Sequence, residues 1–529
     1  MGTENLHNTY NSLYRWNNFR LRLVLEAIGV GLITGLVVAL FRYLVDKSAG
    51  ILLGIYRFLA VKPELIPIWI GILVLIGLIV SQLTIKYEPA IKGSGVPQVE
   101  AVLLGKIDMT WWKVITGKLV GAVLSIGAGL SIGPEGPSVQ LGAAVGQGFS
   151  RIFKRLKVEE KYLITSGTSA GLAAIFNAPL AGVMFALEEF HKNFSPLIII
   201  TALSAVMSSD FITSEFIGLK PMFDFHTLKA IPLRYYAYIV VLGVLLGVLG
   251  VTFEKVLFKT QGLYAMQKWL PRKFWITVPL LISVILGFEL PQVMGSGSNL
   301  ITSLLMNNFP LLFLLILFFA KFLFTMLSYG SGAPGGLFLP ILAIGALIGN
   351  AYGFAVAHLF HLNSIYIKDF TILAMAGYFT AVLRIPLTGT ILITEMTGSF
   401  DHLLSLTVIS FIAYLVVNLI GTKPLNETLM ERILEQGELT AGGNESAKML
   451  IEYAVSMGSH LDGKQIKDVE WPSECLLVAV RRGAKEIIPT GDTSINAGDF
   501  LVILTNGDRV GDINDFLNEV ARSGEGYLL

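Results

Sequence analysis

The amino-acid sequence predicts an all-α polytopic membrane protein of two similar halves with broken helices, followed by a small soluble α+β domain. Three observations carry that reading. The 529-residue chain is 53% apolar and only 15% charged, with a mean hydropathy of +0.67, so most of it does not face water. The charges are unevenly spread: residues 441–529 hold 22 of the 77, one in four, against one in eight before them. Four motifs marked by glycine and proline also recur in the same order at offsets of 200–207 residues.

Apolar stretches long enough to cross about 30 Å of hydrocarbon fall at roughly 23–44, 66–86, 196–217, 236–258, 274–289, 309–329, 366–383 and 403–421, and predict helices. Between them, 93–107, 117–150, 164–190, 332–357 and 385–400 are equally apolar but broken by glycine and proline, and are not expected to be plain spanning helices. Irregular backbone at membrane depth is tolerated only where protein buries it or where it lines a cavity, so a substrate path is sought there. The first 20 residues are polar and aromatic and the run after them is too long for a cleavable signal; Arg15, Arg20 and Arg22 place the N-terminus in the cytoplasm.

The echoes pair Gly93-Ser94-Gly95 with Gly295-Ser296-Gly297, and Gly133-Pro134-Glu135-Gly136 with Ala333-Pro334-Gly335-Gly336. They also pair Gly142-Ala143 with Gly345-Ala346, and Pro179-Leu180-Ala181-Gly182 followed by Glu188 with Pro386-Leu387-Thr388-Gly389 followed by Glu395. The membrane part, 21–437, is therefore read as a duplication with repeats near 21–217 and 232–425, behind an N-terminal segment 1–20.

Composition also excludes. The tail is net −6 and the body net +7, so neither has the basic excess of a nucleic-acid binder. Cys475 is alone and the seven histidines form no ligand-spaced pair, so no metal or other cofactor is expected. No nucleophile, base and orienting group share a motif, and an enzyme is not expected.

Gly93–Pro97 can present a helix N-terminus and a serine hydroxyl to an anion, or can simply be a loop with Ser94 as N-cap. Gly133–Pro137 repeats the device with an acid, Glu135. Its carboxylate suits a helix N-terminus and also occupies the place an anion wants, so it reads either as a cap or as a tethered competitor. Gly332–Pro340 is a third such start without an acid, leaving the amides of Leu337 and Phe338 for an anion. Glu188 and Glu189 close an apolar run; Glu188 and Glu395 are read as structural, and Glu189 as the more functional of the three. Arg384 and Lys423 are read as helix-end charges.

After Thr440, short β-type runs at 475–480 and 500–504, turns at Arg482-Gly483, Gly491-Asp492 and Gly498-Asp499, and a closing helix at 512–521 describe an α+β module over 441–529. Its pattern resembles the TrkA C-terminal domain, which implies a regulatory, dimerising module with a small cytosolic ligand.

The membrane motifs together, GSGVP (93–97), GPEGP (133–137), NAPLAG with the following EE (177–189), GAPGGLFLP (332–340), RIPLTG with EMTG (384–398) and KPL (423–425), resemble the CLC family of chloride channels and chloride/proton antiporters. That resemblance implies inverted halves with broken helices, a homodimer with one pore per subunit, and chloride and protons as substrates, with bromide or nitrate as further anions. It implies a central anion on Ser94, Gly95, Gly136, Leu337 and Phe338, with the amide of Asn426 as a further anion-binding candidate at the family's tyrosine position, Glu135 as external gating glutamate and Glu189 as internal proton glutamate. It further implies an integral protein of the cell (inner) membrane with both termini cytoplasmic. Two positions depart. The tyrosine that commonly follows KPL and faces the anion is here Asn426, and Pro134 stands where arginine or lysine is frequent. Proton-coupled exchange is the expectation because both acids are present. A passive voltage- or pH-gated channel is the alternative that Asn426 favours, and a cation transporter is a remoter one.

Overall fold

The computed structural model describes residues 2–192, 194–218, 221–223, 231–267, 269–307, 309–435, 448–473, 475–483, 485–506 and 509–520. The chain divides into two compact units. One comprises Met1–Pro97, Thr110–Arg155 and Glu159–Glu431, and the other Gln98–Met109, Leu156–Val158 and Arg432–Leu529. The expected boundary at 437–441 lies outside the described residues.

The first half runs α1 (Gly2–Val61), α2 (Ile66–Gln82), α3 (Val96–Leu103), α4 (Trp111–Gly127), α5 (Glu135–Ile152), α6 (Lys157–Phe176), α7 (Pro179–Phe185) and α8 (Pro196–Ile217). The second runs α9 (Tyr236–Met266), α10 (Thr277–Glu289), α11 (Ser298–Met306), α12 (Leu311–Gly330), α13 (Phe338–Phe360), α14 (Tyr366–Leu383), α15 (Pro386–Thr397), α16 (Leu403–Ile420) and α17 (Leu425–Glu435). Prolines open α7, α8 and α15, where a missing N–H is harmless. Among the described residues, eight helical stretches are long and apolar enough to cross a membrane, from Arg20–Val61 to Leu403–Ile420, and the chain is an integral membrane protein.

Three expectations are corrected. The first helix is far longer than 23–44, because the polar flanks continue its helical hydrogen bonding on both sides. The stretch at 274–289 forms only the 13-residue α10, which starts after Ile276 and is too short to span. The segment 332–357 contains a continuous 23-residue helix, α13, because Gly332, Pro334, Gly335 and Gly336 precede the helix and Pro340 falls in the first turn, where it breaks no hydrogen bond.

The duplication is physical. Helix α1 packs along α8, and its counterpart α9 packs along α16. Lys118 on α4, fully buried, donates to Ile91 O (3.0 Å) and Gly93 O (2.7 Å); Lys321 on α12, equally buried, donates to Val293 O (3.0 Å) and Gly295 O (2.8 Å). Each ammonium thus stitches the loop that turns into its own Gly-Ser-Gly motif. Glu188 accepts from the Leu387 and Thr388 amides at the start of α15, at 3.1 and 2.7 Å. Glu395 accepts from Leu180 and Ala181 at the start of α7, at 2.9 and 2.8 Å. Each half caps a helix of the other, the reciprocity a twofold relation requires.

The tail holds β1 (Lys448–Ala454), β2 (Cys475–Arg482), β3 (Lys485–Ile487), β4 (Phe500–Asn506) and α18 (Val510–Val520). The sheet is antiparallel in the order β1-β4-β2-β3, with a bulge at Leu477/Ala479, and Ile451, Val480, Leu501, Ile503, Ile513 and Leu517 form its core. Inside it Arg482 donates to both oxygens of the buried Asp499, at 2.8 and 2.7 Å. Burial pushes the Asp499 carboxyl upward, but the hydrogen bonds from Arg482 and the Asn496 amide outweigh it and hold it below the ordinary aspartate range.

Candidate functional site

Three loops meet where α3, α5 and α13 begin. The Gly335 amide donates to Gly93 O (2.9 Å), and Gly133 and Gly336 exchange both of their backbone hydrogen bonds, at 2.8 and 2.6 Å. Gly136 closes the third side. A Cβ there would lie 2.8 Å from Ser94 O and 3.1 Å from Gly336 Cα, so any side chain would force the three loops apart. Ser94, Gly95, Gly136, Leu337 and Phe338 are all buried around this junction, and Ser94 Oγ accepts from the Val96 amide (3.3 Å), capping α3.

Glu135 opens α5, but its side chain crosses to α13. The carboxylate is fully buried and accepts from the Leu339 amide, at 3.0 Å from Oε1. Leu337 is the N-cap of α13 and Phe338 its first residue, so the two amides named for an anion both lie at the open start of the helix, beside the Leu339 amide that Glu135 takes. A carboxylate on these N–H groups sits at the positive end of a helix dipole, the position an inorganic anion would otherwise fill. Its Oε2 has no hydrogen-bond partner among the described residues. The side chain is thus held by one oxygen and the dipole, an arrangement it can leave without dismantling the junction.

Glu189 lies in a second cluster. The chain from Ala186 to His191 is a π-helical turn that ends with Lys192 in the left-handed region. Glu189 and Asn426 are both buried, and Asn426 Nδ2 donates to Glu189 Oε1 at 2.7 Å. The two clusters are joined by rings. Phe338, two residues after Gly336, packs against Phe185 (centroids 5.5 Å apart) and Phe379 (5.1 Å), and Phe185 packs against Phe190 beside Glu189 (5.3 Å).

Residues 76–418 match the voltage gated chloride channel family, and residues 450–518 match the TrkA-C domain. The chain belongs to the CLC family. It is 33% identical over 435 residues to the H(+)/Cl(−) exchange transporter ClcA of Salmonella paratyphi B, covering 81% of this chain and 92% of that one, and equally to that of Salmonella newport. It superimposes on the crystal structure of a slow cyanobacterial Cl−/H+ antiporter with a TM-score of 0.75 and 32% identity, covering 78% of this chain and 98% of the other. A CLC-type fluoride/proton antiporter gives 0.62 at 25% identity, covering 77% and 98%.

Within this CLC chain several contributors escaped the reading of motifs. Tyr329, buried near the end of α12, brings its hydroxyl beside the turn that carries Ser94: a Cβ on Gly93 would lie 3.4 Å from it. Lys118 and Lys321 were also missed. A lysine in mid-helix in each of two apolar helices, 203 residues apart like the motifs, was the available signal. Arg384 does stand at a helix end, as the C-cap of α14, with its side chain turned inward and paired with Glu254 at 2.9 Å. Lys423 does sit at the exposed start of α17, pairing Glu431 at 2.7 Å.

Proposed function

We propose that this protein is a secondary active transporter, not an enzyme, that exchanges chloride for protons, with Glu135 as the external gate and Glu189 as the internal proton relay. The observation that carries the reading is the Glu135 carboxylate seated on the Leu339 amide at the start of α13. An anion and an ionised carboxylate compete for one set of N–H donors. On protonation the carboxyl loses its attraction to the helix dipole and yields the place. Occupation by chloride and loading of a proton on Glu135 thereby go together, which is coupling. Ser94, Gly95 and Gly136 supply the backbone and hydroxyl of the central site, and the same donors accept bromide or nitrate. Helix N-termini repel cations, which disfavours a cation pathway.

Support for exchange comes from the ClcA relatives and the antiporter structure. A passive channel gains from Asn426, which is smaller than a phenol at the inner mouth. The bond from Asn426 to Glu189 weighs the other way, because it gives that position a partner on the proton side. We further infer a homodimer in the cell (inner) membrane with both termini cytoplasmic, and a tail that senses a small cytosolic ligand.

The test is the reversal potential in proteoliposomes under a chloride gradient with an opposing pH gradient. The wild type responds to pH, whereas Glu135→Gln and Glu189→Gln still pass chloride without that response. A wild type that follows chloride alone makes this a channel.

A further inference from the structure

Asn426 stands at the start of α17, 5% exposed, and hands a hydrogen to Glu189, 8% exposed, across 237 positions of sequence. The contact is reinforced one residue on, where Lys192 Nζ lies 3.3 Å from Glu427 Oε2, so the π-helical turn carrying Glu189 is fastened to α17 twice. The neighbouring acid, Glu188, is committed to three donors at the start of α15, the Leu387 and Thr388 amides and the Thr388 hydroxyl, and has no spare role. The charged groups that Glu189 feels are Lys192, Glu188 and Glu427.

In this contact the amide presents its donor side. A phenol or hydroxyl can donate or accept, but Nδ2 of asparagine only donates. Oε1 of Glu189 can accept from it both as part of a carboxylate and as the carbonyl oxygen of the protonated acid, so the contact survives a change of protonation state. A proton on Oε1 would meet the amide hydrogen head-on.

Resting on the exchanger reading above, we propose that Asn426 is a positioning residue of the proton branch: it fixes the Glu189 carboxyl through Oε1, so that Oε2 is the oxygen that carries the proton. The position the family gives to an anion ligand serves the proton relay in this chain.

The experiment uses the full chain in proteoliposomes and reads the proton-to-chloride ratio from reversal potentials, with chloride affinity measured by calorimetry on the same preparations. Asn426→Ala removes the donor. Asn426→Asp keeps the shape and replaces the donor with an acceptor, which guards against a packing defect in the alanine variant. Both are expected to lower the ratio about tenfold, the order of one hydrogen bond to a charged group, while chloride affinity stays within about twofold. Asn426→Gln, which keeps a donor, is expected to retain at least about half of the ratio. A ratio unchanged in alanine and aspartate variants overturns the proposal, as does a ratio unchanged alongside a clear fall in chloride affinity, which returns Asn426 to the anion site. The wild type separates the two levels. If it ignores the pH gradient, the exchanger reading fails and takes this one with it; if it couples and Asn426→Ala couples equally, this one alone fails.

Discussion

The two halves of the membrane unit share a scaffold and differ in chemistry. Lys118 and Lys321 do the same task at equivalent places, as do Glu188 and Glu395. At the other equivalent positions the match breaks down. Glu135 corresponds to Gly335, Glu189 to Met396, and Ser94 to Ser296, whose hydroxyl lies 3.4 Å from that of Ser298 rather than on a capped helix at the junction. What is duplicated holds helix starts together, and what is single is what the proposed mechanism uses. A membrane protein can afford buried charge twice where it is fully hydrogen-bonded, but one gate per path suffices.

The largest expected effect tests the unmatched acids. Glu135→Gln is expected to abolish the response of transport to a pH gradient, read as a reversal potential that follows chloride alone. A retained response would mean that the acid unique to the first half is only a cap. Next, Glu189→Gln is expected to lose proton coupling while Met396→Leu at the equivalent place keeps it. Equal behaviour of the two in the same flux assay would erase the functional asymmetry.

The matched pairs should behave alike. Lys118→Met and Lys321→Met each leave two buried carbonyls without their ammonium, and each is expected to cost about 1–3 kcal/mol of stability, seen as similar falls in melting temperature. A fall in one only would show that the lysines are not equivalent. Glu188→Gln and Glu395→Gln weaken one charge-assisted helix cap apiece, about 1 kcal/mol in either half.

The tail lies outside the repeat and gives the smallest effect. Asp499 is held below the ordinary aspartate range, so its contribution is fully present above that range and is lost as pH falls through its lowered folded value, below about 4. Hydrogen exchange of β4 in the full chain is expected to accelerate there, and Arg482→Ala should move the onset to higher pH.

Much of this was legible in the sequence because the halves announce themselves by offset and because glycine and proline mark helix starts. The junction of Ser94, Gly136 and Phe338 followed from those marks. That Glu135 crosses to the Leu339 amide did not, since it depends on how α5 and α13 are packed. Contacts between distant segments were also hidden. Neither Asn426 meeting Glu189 nor Tyr329 lying beside the turn at Gly93 follows from spacing, and the reciprocal caps of Glu188 and Glu395 were foreseen only as structural acids. Lys118 and Lys321 were in plain view, but a lysine in an apolar helix reads as an interfacial anchor until the carbonyls it serves are seen.

The central claim is that chloride and the ionised Glu135 carboxylate compete for the amides at the start of α13. The most direct measurement is proton uptake on chloride binding by the purified protein in weakly buffered solution near neutral pH, wild type beside Glu135→Gln. The wild type should take up protons as chloride binds, because the displaced carboxylate loses its donors, and the variant should bind chloride without uptake. Chloride binding with no proton uptake by the wild type, or the same uptake by the variant, would contradict it.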